Sequence, residues 1–545
     1  MNPAEKRCEI IPMKTIYYNA SVYTGSLPLR EAFGVEDDRV FFAGTNEEAE
    51  KQTADHFVNL NGAFVCSGFH DSHMHLLNFG QSLTTAPLNK HTGSLKELIH
   101  CLKQSVPGRG GWILGRGWNQ DYFSDTGRMP NRWDLDKVST TNPVCAVRAC
   151  GHALSVNSKA LELLGISAET PQPEGGQIVL ENGIPTGVFF DNAMDLVYDA
   201  FPAPTKEDLK AMIRAACAAL NSYGITSVQS DDYCVFRNVP WQTVNEAFRE
   251  LEASGELTVR VYEQANFTDV AALAKFVENG NITGTGTDFF RIGPLKMLGD
   301  GALGARTAYL TKAYADAPDT RGLSVFSQKE FDELIGYANS HHLQCAIHCI
   351  GDGCLDMVLS SIEKALTEHP RENHRHGIVH CQITRPDQLK KIAELGLHVY
   401  AQSIFLDYDI HMVKDRVGEE LANTSYSWKT LKNMGTTVSN GSDCPVELPN
   451  VLGGIQCAVT RTDLKGSVSA YLPDEAFTVQ EALDSFTHDS AYASFEEHRK
   501  GNIQPGQLAD FVVLEQNPFT VSASQLSGIS VLQTFLGGRN VYKKS

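Results

Sequence analysis

Eight short apolar segments, separated by stretches with helical periodicity, constrain the fold of this chain most strongly. We take AFVCSGF at residues 63–69 as the first segment. The other seven are GITSVQS from 224, LTVRVYEQ from 257, FFRIGPLKML from 289, LQCAIHCIG from 343, HGIVHCQ from 376, GLHVYAQS from 396 and TTVSNGSD from 436. Intervening segments such as EDLKAMIRAACAALNSYG place apolar residues at helical spacing. Eight strand-and-helix units predict an α/β protein with a (β/α)8 (TIM) barrel, and a doubly wound parallel sheet is the structural alternative.

The two ends of the chain have β character of a different kind. Short alternating runs, TIYYNASVYTG and REAFGVEDDRVFFAGT, lie near the start, and GQLADFVVLE and VLQTFLGGRNVY lie near the end. We expect residues 1–66 and 500–545 to pair into one small β-sandwich domain. Residues 67–499 would then form the barrel.

The gap between the first and second segments is too long for a barrel loop, at roughly 150 residues. It contains Gly-punctuated β-like stretches, GWILGRGWNQDYF and PEGGQIVLENGIPTGVFFDNA. It also contains Trp112, Trp118 and Trp133, three of the five tryptophans of the chain. We interpret residues 85–200 as an inserted substrate or lid subdomain.

Composition excludes several classes of protein. The formal net charge of -19 over 545 residues disfavours binding to nucleic acid or to an anionic membrane, since both require clustered Lys and Arg. The chain has no run of 18 apolar residues and no N-terminal signal pattern, so we expect a soluble cytoplasmic protein. Thirteen cysteines without a CxxC pair fit neither a disulfide framework nor a zinc ribbon.

Three histidines lie close together in FHDSHMHL, residues 69–76. Because side chains alternate along a strand, His73 and His75 should point together into the barrel mouth, while His70 points the other way. Polar residues also close four later apolar segments, where a buried polar side chain needs a partner. These residues are Lys296, His348, His380 and Asp443. Together with His73 and His75 they predict a metal site at the carboxyl ends of the strands.

A series of ordered motifs carries a family resemblance from about residue 15 to residue 542. The motifs are SGFHDSHMHL, GWILGRGWNQ, GHALSVNSKAL, GIPTGVFFDNA, LKMLGDGALGARTA, AIHCIGD, RHGIVHCQ, NGSDCPVE and IQPGQLADFVVLE. With these motifs the chain resembles the amidohydrolase superfamily. The closer likeness is to its amidohydrolase-3 branch of YtcJ-like and N-substituted formamide deformylase-like metal-dependent hydrolases.

The resemblance implies a role for each candidate ligand. His73 and His75 would bind the more buried divalent metal, and Asp443 would contact it and act as general base. Lys296 would be carboxylated and would bridge to a second metal held by His348 and His380. An unmodified Lys296 would instead imply a site with one metal or none. Zinc is the first choice of metal for such ligands, with one or two ions bound.

The implied activity is hydrolysis of an amide-type C–N bond of a small molecule by a metal-activated hydroxide, with Asp443 as general acid and base. Deamination, ester hydrolysis and decarboxylation on the same site are alternatives, because fold and metal do not choose among them. A barrel that has lost catalysis and acts as a binding protein is a further alternative. The resemblance also implies a homodimer, and it suggests His152 as a substrate contact. Trp118 and Tyr122 are more typical of a core than of a pocket, but we add them as aromatic lid residues because such a lid would suit an apolar substrate group.

Two residues depart from the family pattern. Val379 stands where a Glu is common, which alters the support of His380. His70 stands where a β-branched residue is usual, and we expect it to add a hydrogen bond behind the site.

Overall fold

The computed structural model describes residues 13–545 except 92, 149–152, 174 and 237. These residues form two compact units: one contains the chain up to Leu76, Cys217–Cys234 and Phe248–Ser545, and the other contains Leu77–Ala216 and Val235–Ala247. The α-helices of the described residues are Asn46–Glu50, Leu76–Leu83, Leu95–Gln104, Arg132–Asp136, Ser158–Leu164, Asp195–Tyr198, Lys206–Ser222, Trp241–Ala253, Val270–Glu278, Gln328–Ser340, Asp352–Glu368, Pro386–Glu394, Leu406–Asp409, Val413–Ala422, Trp428–Asn433, Val451–Thr460, Val479–Ser485 and His488–Ala493. Within this part of the chain no helix combines the length and the apolar character needed to cross a membrane.

The first unit contains an eight-stranded parallel sheet in which each strand pairs with the next one along the chain. In order, the eight barrel strands are Phe69–Met74, Ile225–Ser230, Arg260–Asn266, Phe290–Leu298, Cys345–Cys349, Gly377–His380, His398–Ala401 and Val438–Asn440. Just beyond the eighth strand, the backbone N–H of Asp443 donates to the carbonyl of His73 at 2.8 Å. The sheet is therefore a nearly closed barrel, and the doubly wound alternative is wrong, since its strand order would reverse.

The first barrel strand is not the segment that we expect from the sequence. Phe64–Ser67, the core of AFVCSGF, pairs with Phe511–Leu514 in another sheet, and the barrel strand begins at Phe69. The single residue between the two strands is Gly68, where a Cβ atom would lie 2.3 Å from Thr226 Oγ1. Two apolar strands separated by one residue give one continuous apolar pattern, which hides the change of sheet. The other seven segments each contain the expected barrel strand.

Strands from the two ends of the chain build two further sheets of the first unit. One sheet contains Lys14–Tyr18, Ala32–Glu36, Arg39–Gly44 and His56–Asn59, and the other contains Ser21–Val22, Phe64–Ser67, Phe511–Leu514, Val531–Leu536 and Arg539–Lys543. Side chains of both sheets share one apolar cluster, in which the Tyr17 and Phe33 rings lie 4.9 Å apart and the Phe511 and Phe535 rings 4.3 Å apart. The sandwich form and the domain boundaries given above stay predictions.

The second unit has a six-stranded sheet of its own. Its strands are Ala86–Pro87, Ile113–Trp118, Val144–Arg148, Ala153–Val156, Gly176–Glu181 and Ile184–Asp191. Two apolar clusters pack in this unit, one around Trp118 and Leu102 and one around Trp112 and Phe189. The β-like stretches of the long gap therefore form a sheet, while the role of residues 85–200 as a lid stays a prediction.

Candidate metal centre

Three of the six candidate ligands converge on one point in the first unit. His73 lies in the first barrel strand, His75 directly follows it, and Asp443 follows the eighth strand. Asp443 Oδ1 lies 3.4 Å from His73 Nε2 and 3.0 Å from His75 Nε2. In the described part of the chain, these residues are the only His, Cys, Asp or Glu group of three whose ligand atoms all lie within 4.8 Å of one another.

Hydrogen bonds on the far side of each ring fix the histidines. His73 Nδ1 lies 2.8 Å from Gln264 Oε1, and His75 Nδ1 lies 3.1 Å from the backbone carbonyl oxygen of Asp231. Both partners are acceptors, so both Nδ1 atoms act as donors. A neutral imidazole that donates from Nδ1 carries its lone pair on Nε2. When both rings are neutral, their two Nε2 lone pairs therefore face the Asp443 carboxylate.

Two lone pairs and a carboxylate around one point repel each other unless a proton or a cation lies between them. Burial raises the pKa of Asp443, but the hydrogen bond from His75 and the nearby histidines hold it well below its usual range. Burial lowers the pKa of His75, but the hydrogen bond to Asp443 and its charge outweigh this and raise it to about 9. One carboxylate and two imidazole nitrogens are also a ligand set for a divalent cation such as zinc, so the residues fit a metal ion.

The other three candidate ligands border the same place. The His380 ring centroid lies 5.8 Å from that of His73 and 4.4 Å from that of His348. Lys296 is fully buried, with Nζ 3.7 Å from Asp231 Oδ2. Burial and then the charge of Lys296 lower the pKa of His73 well below its usual value. All six candidate ligands therefore lie near one another at the carboxyl ends of the barrel strands.

Buried polar atoms without partners mark this second half of the site. Among the described residues, neither Lys296 Nζ nor His380 Nδ1 has a hydrogen-bond partner. Lys296 Nζ has the Asp231 carboxylate at 3.7 Å but no hydrogen bond, and a buried polar nitrogen without a hydrogen bond costs roughly 1–3 kcal/mol. A carboxylated lysine and a bound cation would satisfy both atoms, so these residues also fit a metal.

The backbone is strained where two of the candidate ligands lie. His380, Cys381 and Asp443 have φ values of 74°, 50° and 56°, in the left-handed region that non-glycine residues rarely adopt. Asp71 holds the segment before Asp443, since its carboxylate accepts hydrogen bonds from Ser442 N at 3.0 Å and Ser442 Oγ at 2.5 Å. Strain of this kind is concentrated at functional sites, where the surrounding contacts maintain it.

Three residues that support the site are missing from the sequence prediction: Asp71, Asp231 and Gln264. Asp231 and Gln264 stand at the ends of the apolar segments GITSVQS and LTVRVYEQ, and both are buried. Lys296 and His348 are predicted as ligands because each is a polar residue that closes an apolar segment. The same reasoning applies equally to Asp231 and Gln264. The signal was present in the sequence, but it does not tell a metal ligand from a residue that orients one.

His70 is buried, with 2% of its surface exposed, and it is not part of the converging group. Neither of its ring nitrogens has a hydrogen-bond partner in the described part of the chain. The expected hydrogen bond behind the site is therefore wrong. The reason is that the neighbouring polar groups are already paired with one another. Lys500 Nζ donates a hydrogen bond to Ser227 Oγ at 3.0 Å and forms an ion pair with Glu496 at 2.8 Å.

The three predicted substrate contacts belong to the inserted part of the chain. His152 lies outside the described residues. Trp118 is fully buried, and its Nε1 donates to the Ala146 carbonyl at 3.0 Å, whereas Tyr122 is 67% exposed. Contact of these residues with a substrate stays a prediction.

Comparison with known proteins identifies the family of the chain. The model of the amidohydrolase family matches residues 56–542. The protein YtcJ of Bacillus subtilis (strain 168) is 32% identical over 543 residues, which cover 98% of this chain and 100% of that protein. N-substituted formamide deformylase of Arthrobacter pascens is 25% identical over 533 residues, which cover 94% of this chain and 95% of that protein.

A solved structure shows the same overall fold. The crystal structure of an uncharacterized metal-dependent hydrolase from Pyrococcus horikoshii OT3 superposes with a TM-score of 0.79 at 29% identity, covering 94% of this chain and 99% of that one. The match to the family model extends over nearly the whole chain and includes every residue of the converging group. The chain therefore belongs to the amidohydrolase family and is an enzyme of the hydrolase class.

Proposed function

We propose that this enzyme hydrolyses an amide-type C–N bond of a small molecule and that a divalent metal assists the reaction. The observation that carries the proposal is the convergence of His73 Nε2 and His75 Nε2 on Asp443 Oδ1, within 3.4 Å and 3.0 Å. It occurs in a chain of the amidohydrolase family, at the carboxyl ends of barrel strands, where the active sites of such barrels lie.

Six side chains would hold the metal. His73, His75 and Asp443 would bind one ion, and His348, His380 and a carboxylated Lys296 would complete a site for a second. Zinc is the preferred metal, because imidazole and carboxylate ligands suit it. When bound, the metal supplies a Lewis acid that lowers the pKa of water and polarises the scissile carbonyl.

Asp443 is the proposed general base and acid. Its pKa is held well below the usual range, so the carboxylate is ionised at neutral pH. It would accept the proton of an attacking water that the metal makes more acidic. It would then deliver that proton to the leaving nitrogen, which completes C–N cleavage. Gln264 and the Asp231 carbonyl keep His73 and His75 oriented during both transfers.

Residues 85–200 are proposed to select the substrate, with His152, Trp118 and Tyr122 as contacts. Deamination, ester hydrolysis and decarboxylation are the alternative reactions. The name of one relative, N-substituted formamide deformylase, favours cleavage of an N-acyl bond among these reactions.

Hydrolysis by the zinc-loaded protein tests the proposal. N-formyl amines, N-acyl amino acids and cyclic amides are the substrates, with release of the amine as the readout. We expect hydrolysis of at least one class and a loss of about 10³-fold in Asp443→Asn. Asp415→Asn, which changes an exposed Asp on the helix Val413–Ala422, is the matched control. Hydrolysis that is unchanged in Asp443→Asn, or absent for all three classes, would contradict the proposal.

A further inference from the structure

A cavity of about 180 Å³ lies beside the candidate metal centre in the first unit. Its lining residues come from segments that follow the fourth to the eighth barrel strands, and Leu303, Ile350, Phe405 and Met412 form apolar walls. The Phe405 ring stacks on the His380 ring, with centroids 5.8 Å apart and planes 18° apart. The cavity thus borders the proposed ligands, with room for about six water molecules at roughly 30 Å³ each.

Two carboxylates interrupt these apolar walls, Asp409 and Glu447. Asp409 Oδ2 accepts hydrogen bonds from Gln382 Nε2 at 2.7 Å and from the Tyr426 hydroxyl at 2.9 Å, which are both neutral donors. Within the described residues, neither carboxylate forms an ion pair with Lys, Arg or His. The negative charge in this cavity therefore lacks a cationic partner from this part of the chain.

Gln382 provides an independent sign of a ligand site. Its side chain lines the cavity, is only 2% exposed, and is held through Nε2 by Asp409 and Tyr426. No described residue donates a hydrogen bond to its Oε1 atom. Buried polar atoms are normally paired, so this acceptor has the capacity to accept one hydrogen bond from an N–H or O–H group bound beside it.

The electrostatics of the cavity point the same way. Burial raises the pKa of Asp409 to about 6. Burial, and then the charges of Asp407 and Asp409, raise the pKa of Glu447 to about 7. Both shifts mean that the protein without a ligand favours the protonated, neutral form of these carboxyl groups. A bound cation would favour the ionised form instead.

The kind of cation follows from the remaining geometry. The ligand atoms of Asp407, Asp409 and Glu447 do not all lie within 4.8 Å of one another. These three carboxylates therefore do not form a metal site of the usual kind. Apolar walls instead suit the hydrocarbon part of an organic cation. The carboxylate of an N-acyl amino acid would be repelled here.

We propose that this cavity binds an ammonium or amidinium group on an apolar part of the substrate. The inference rests on the proposed function and narrows it: the preferred substrates are N-acyl amines that carry a second, cationic nitrogen. Asp409, Glu447 and Gln382 Oε1 would recognise that nitrogen, while Phe405 and its apolar neighbours would contact the hydrocarbon that joins it to the scissile amide.

Three matched formamides test this specificity with the zinc-loaded enzyme. They are N-formyl benzylamines with a para aminomethyl, methyl or carboxylate group, which are cationic, neutral and anionic. We expect kcat/KM for the cationic compound to exceed that of the neutral one by about tenfold or more, with the anionic compound last. Glu447→Gln and Asp409→Asn should each bring the cation-to-neutral ratio toward one, whereas the exposed control Asp415→Asn should keep the wild-type ratio. A wild-type ratio of one or less would overturn the proposal.

Binding measured by calorimetry separates this inference from the proposed reaction. The probes are 4-methylbenzylammonium and the neutral 4-methylbenzyl alcohol, neither of which can be hydrolysed. We expect wild type to bind the cation about tenfold more tightly than the alcohol, and Glu447→Gln to bind the two compounds equally.

If no formamide is cleaved but this preference is found, the proposed reaction fails and the cation site stands. If formamides are cleaved without charge preference and 4-methylbenzylammonium does not bind, the cation site fails. It also fails if calcium chloride alone displaces the bound 4-methylbenzylammonium. Glu447 is only partly buried, so its variant decides the test if Asp409→Asn does not fold.

Discussion

At the scale of single residues, the pairing of donors and acceptors argues for a metal more strongly than the mere presence of histidines. His73 and His75 each donate from Nδ1 to a fixed acceptor, which directs both Nε2 atoms at Asp443 and leaves them as ligand atoms once a bound cation displaces the second proton of His75. The pattern HxH in the sequence predicts that the two rings share a face. It does not predict which ring nitrogen is free, because the partner Gln264 lies 191 residues from His73.

Gln264 should act as a positioning residue for His73. Its Nε2 donates to the Ser72 carbonyl at 3.2 Å, which turns Oε1 toward His73. We expect Gln264→Leu to weaken zinc binding by roughly 10- to 100-fold, as measured by competition with a chromogenic chelator. Gln264→Glu keeps an acceptor at this position and should recover most of the affinity. Wild-type affinity in Gln264→Leu would show that His73 needs no such support.

His70 should destabilise the native state in a way that depends on pH. Burial, and then the charge of Lys500, lower its pKa well below the usual 6.5. As pH falls below about 6.5, His70 therefore takes up a proton in the unfolded chain but not in the native state. The free energy of unfolding decreases over this range. Replacing the unpaired imidazole by His70→Val should raise the free energy of unfolding. The gain should be about 1 kcal/mol larger at pH 5.5 than at pH 7.5. Denaturant unfolding at both pH values would measure it, and an equal gain at both would contradict the assignment of a depressed pKa.

At the scale of elements, the site depends on how closely the end of the eighth barrel strand approaches the first. Gly441 lies where a Cβ atom would be 2.6 Å from His73 N and 2.9 Å from His73 O. A side chain there would push the following residues, including Asp443, away from the histidines. The glycine of the motif NGSDCP is thus explained by close packing of two backbones.

Gly441→Ala should accordingly affect both stability and metal binding. We expect a loss of about 1–3 kcal/mol in the free energy of unfolding, together with weaker zinc binding. The matched control is Gly336→Ala in the helix Gln328–Ser340, where nothing lies within 4 Å of an added Cβ. That control should gain about 0.5–1 kcal/mol, because alanine is the better helix former. Unchanged zinc binding in Gly441→Ala would show that the close packing of Gly441 against the His73 backbone does not position Asp443.

Elements whose patterns are local could be predicted from the sequence. Seven barrel strands follow from apolar segments, and polar residues closing four of them lie around the candidate site, including Lys296 and His380. The start of the first barrel strand could not be predicted, because Phe64–Ser67 and Phe69–Met74 form one apolar run. The cavity beside His380 could not be predicted either, since Asp409 lies in a short helix after the seventh strand and Glu447 in an irregular segment after the eighth, where no periodicity fixes the direction of a side chain.

At the scale of the whole molecule, a barrel of consecutive parallel strands explains how distant residues form one centre. Residues 73 and 443 are 370 positions apart, yet the curvature of the sheet brings the ends of the first and eighth strands together, where Asp443 N–H donates to the His73 carbonyl. The strand Phe64–Ser67 also pairs with Phe511–Leu514, which ties both ends of the chain to the first barrel strand through Gly68. The match to the family model extends over residues 56–542, which include all six candidate ligands.

The metal content of the folded protein tests the central claim most directly. Protein saturated with zinc and then freed of unbound metal by gel filtration should contain one or two zinc ions per chain by elemental analysis. The double variant His73→Asn/His75→Asn, with an unchanged far-ultraviolet circular dichroism spectrum, should contain at least one fewer. Wild-type protein that is folded but metal-free, or a double variant that retains the full wild-type zinc content, would contradict the account.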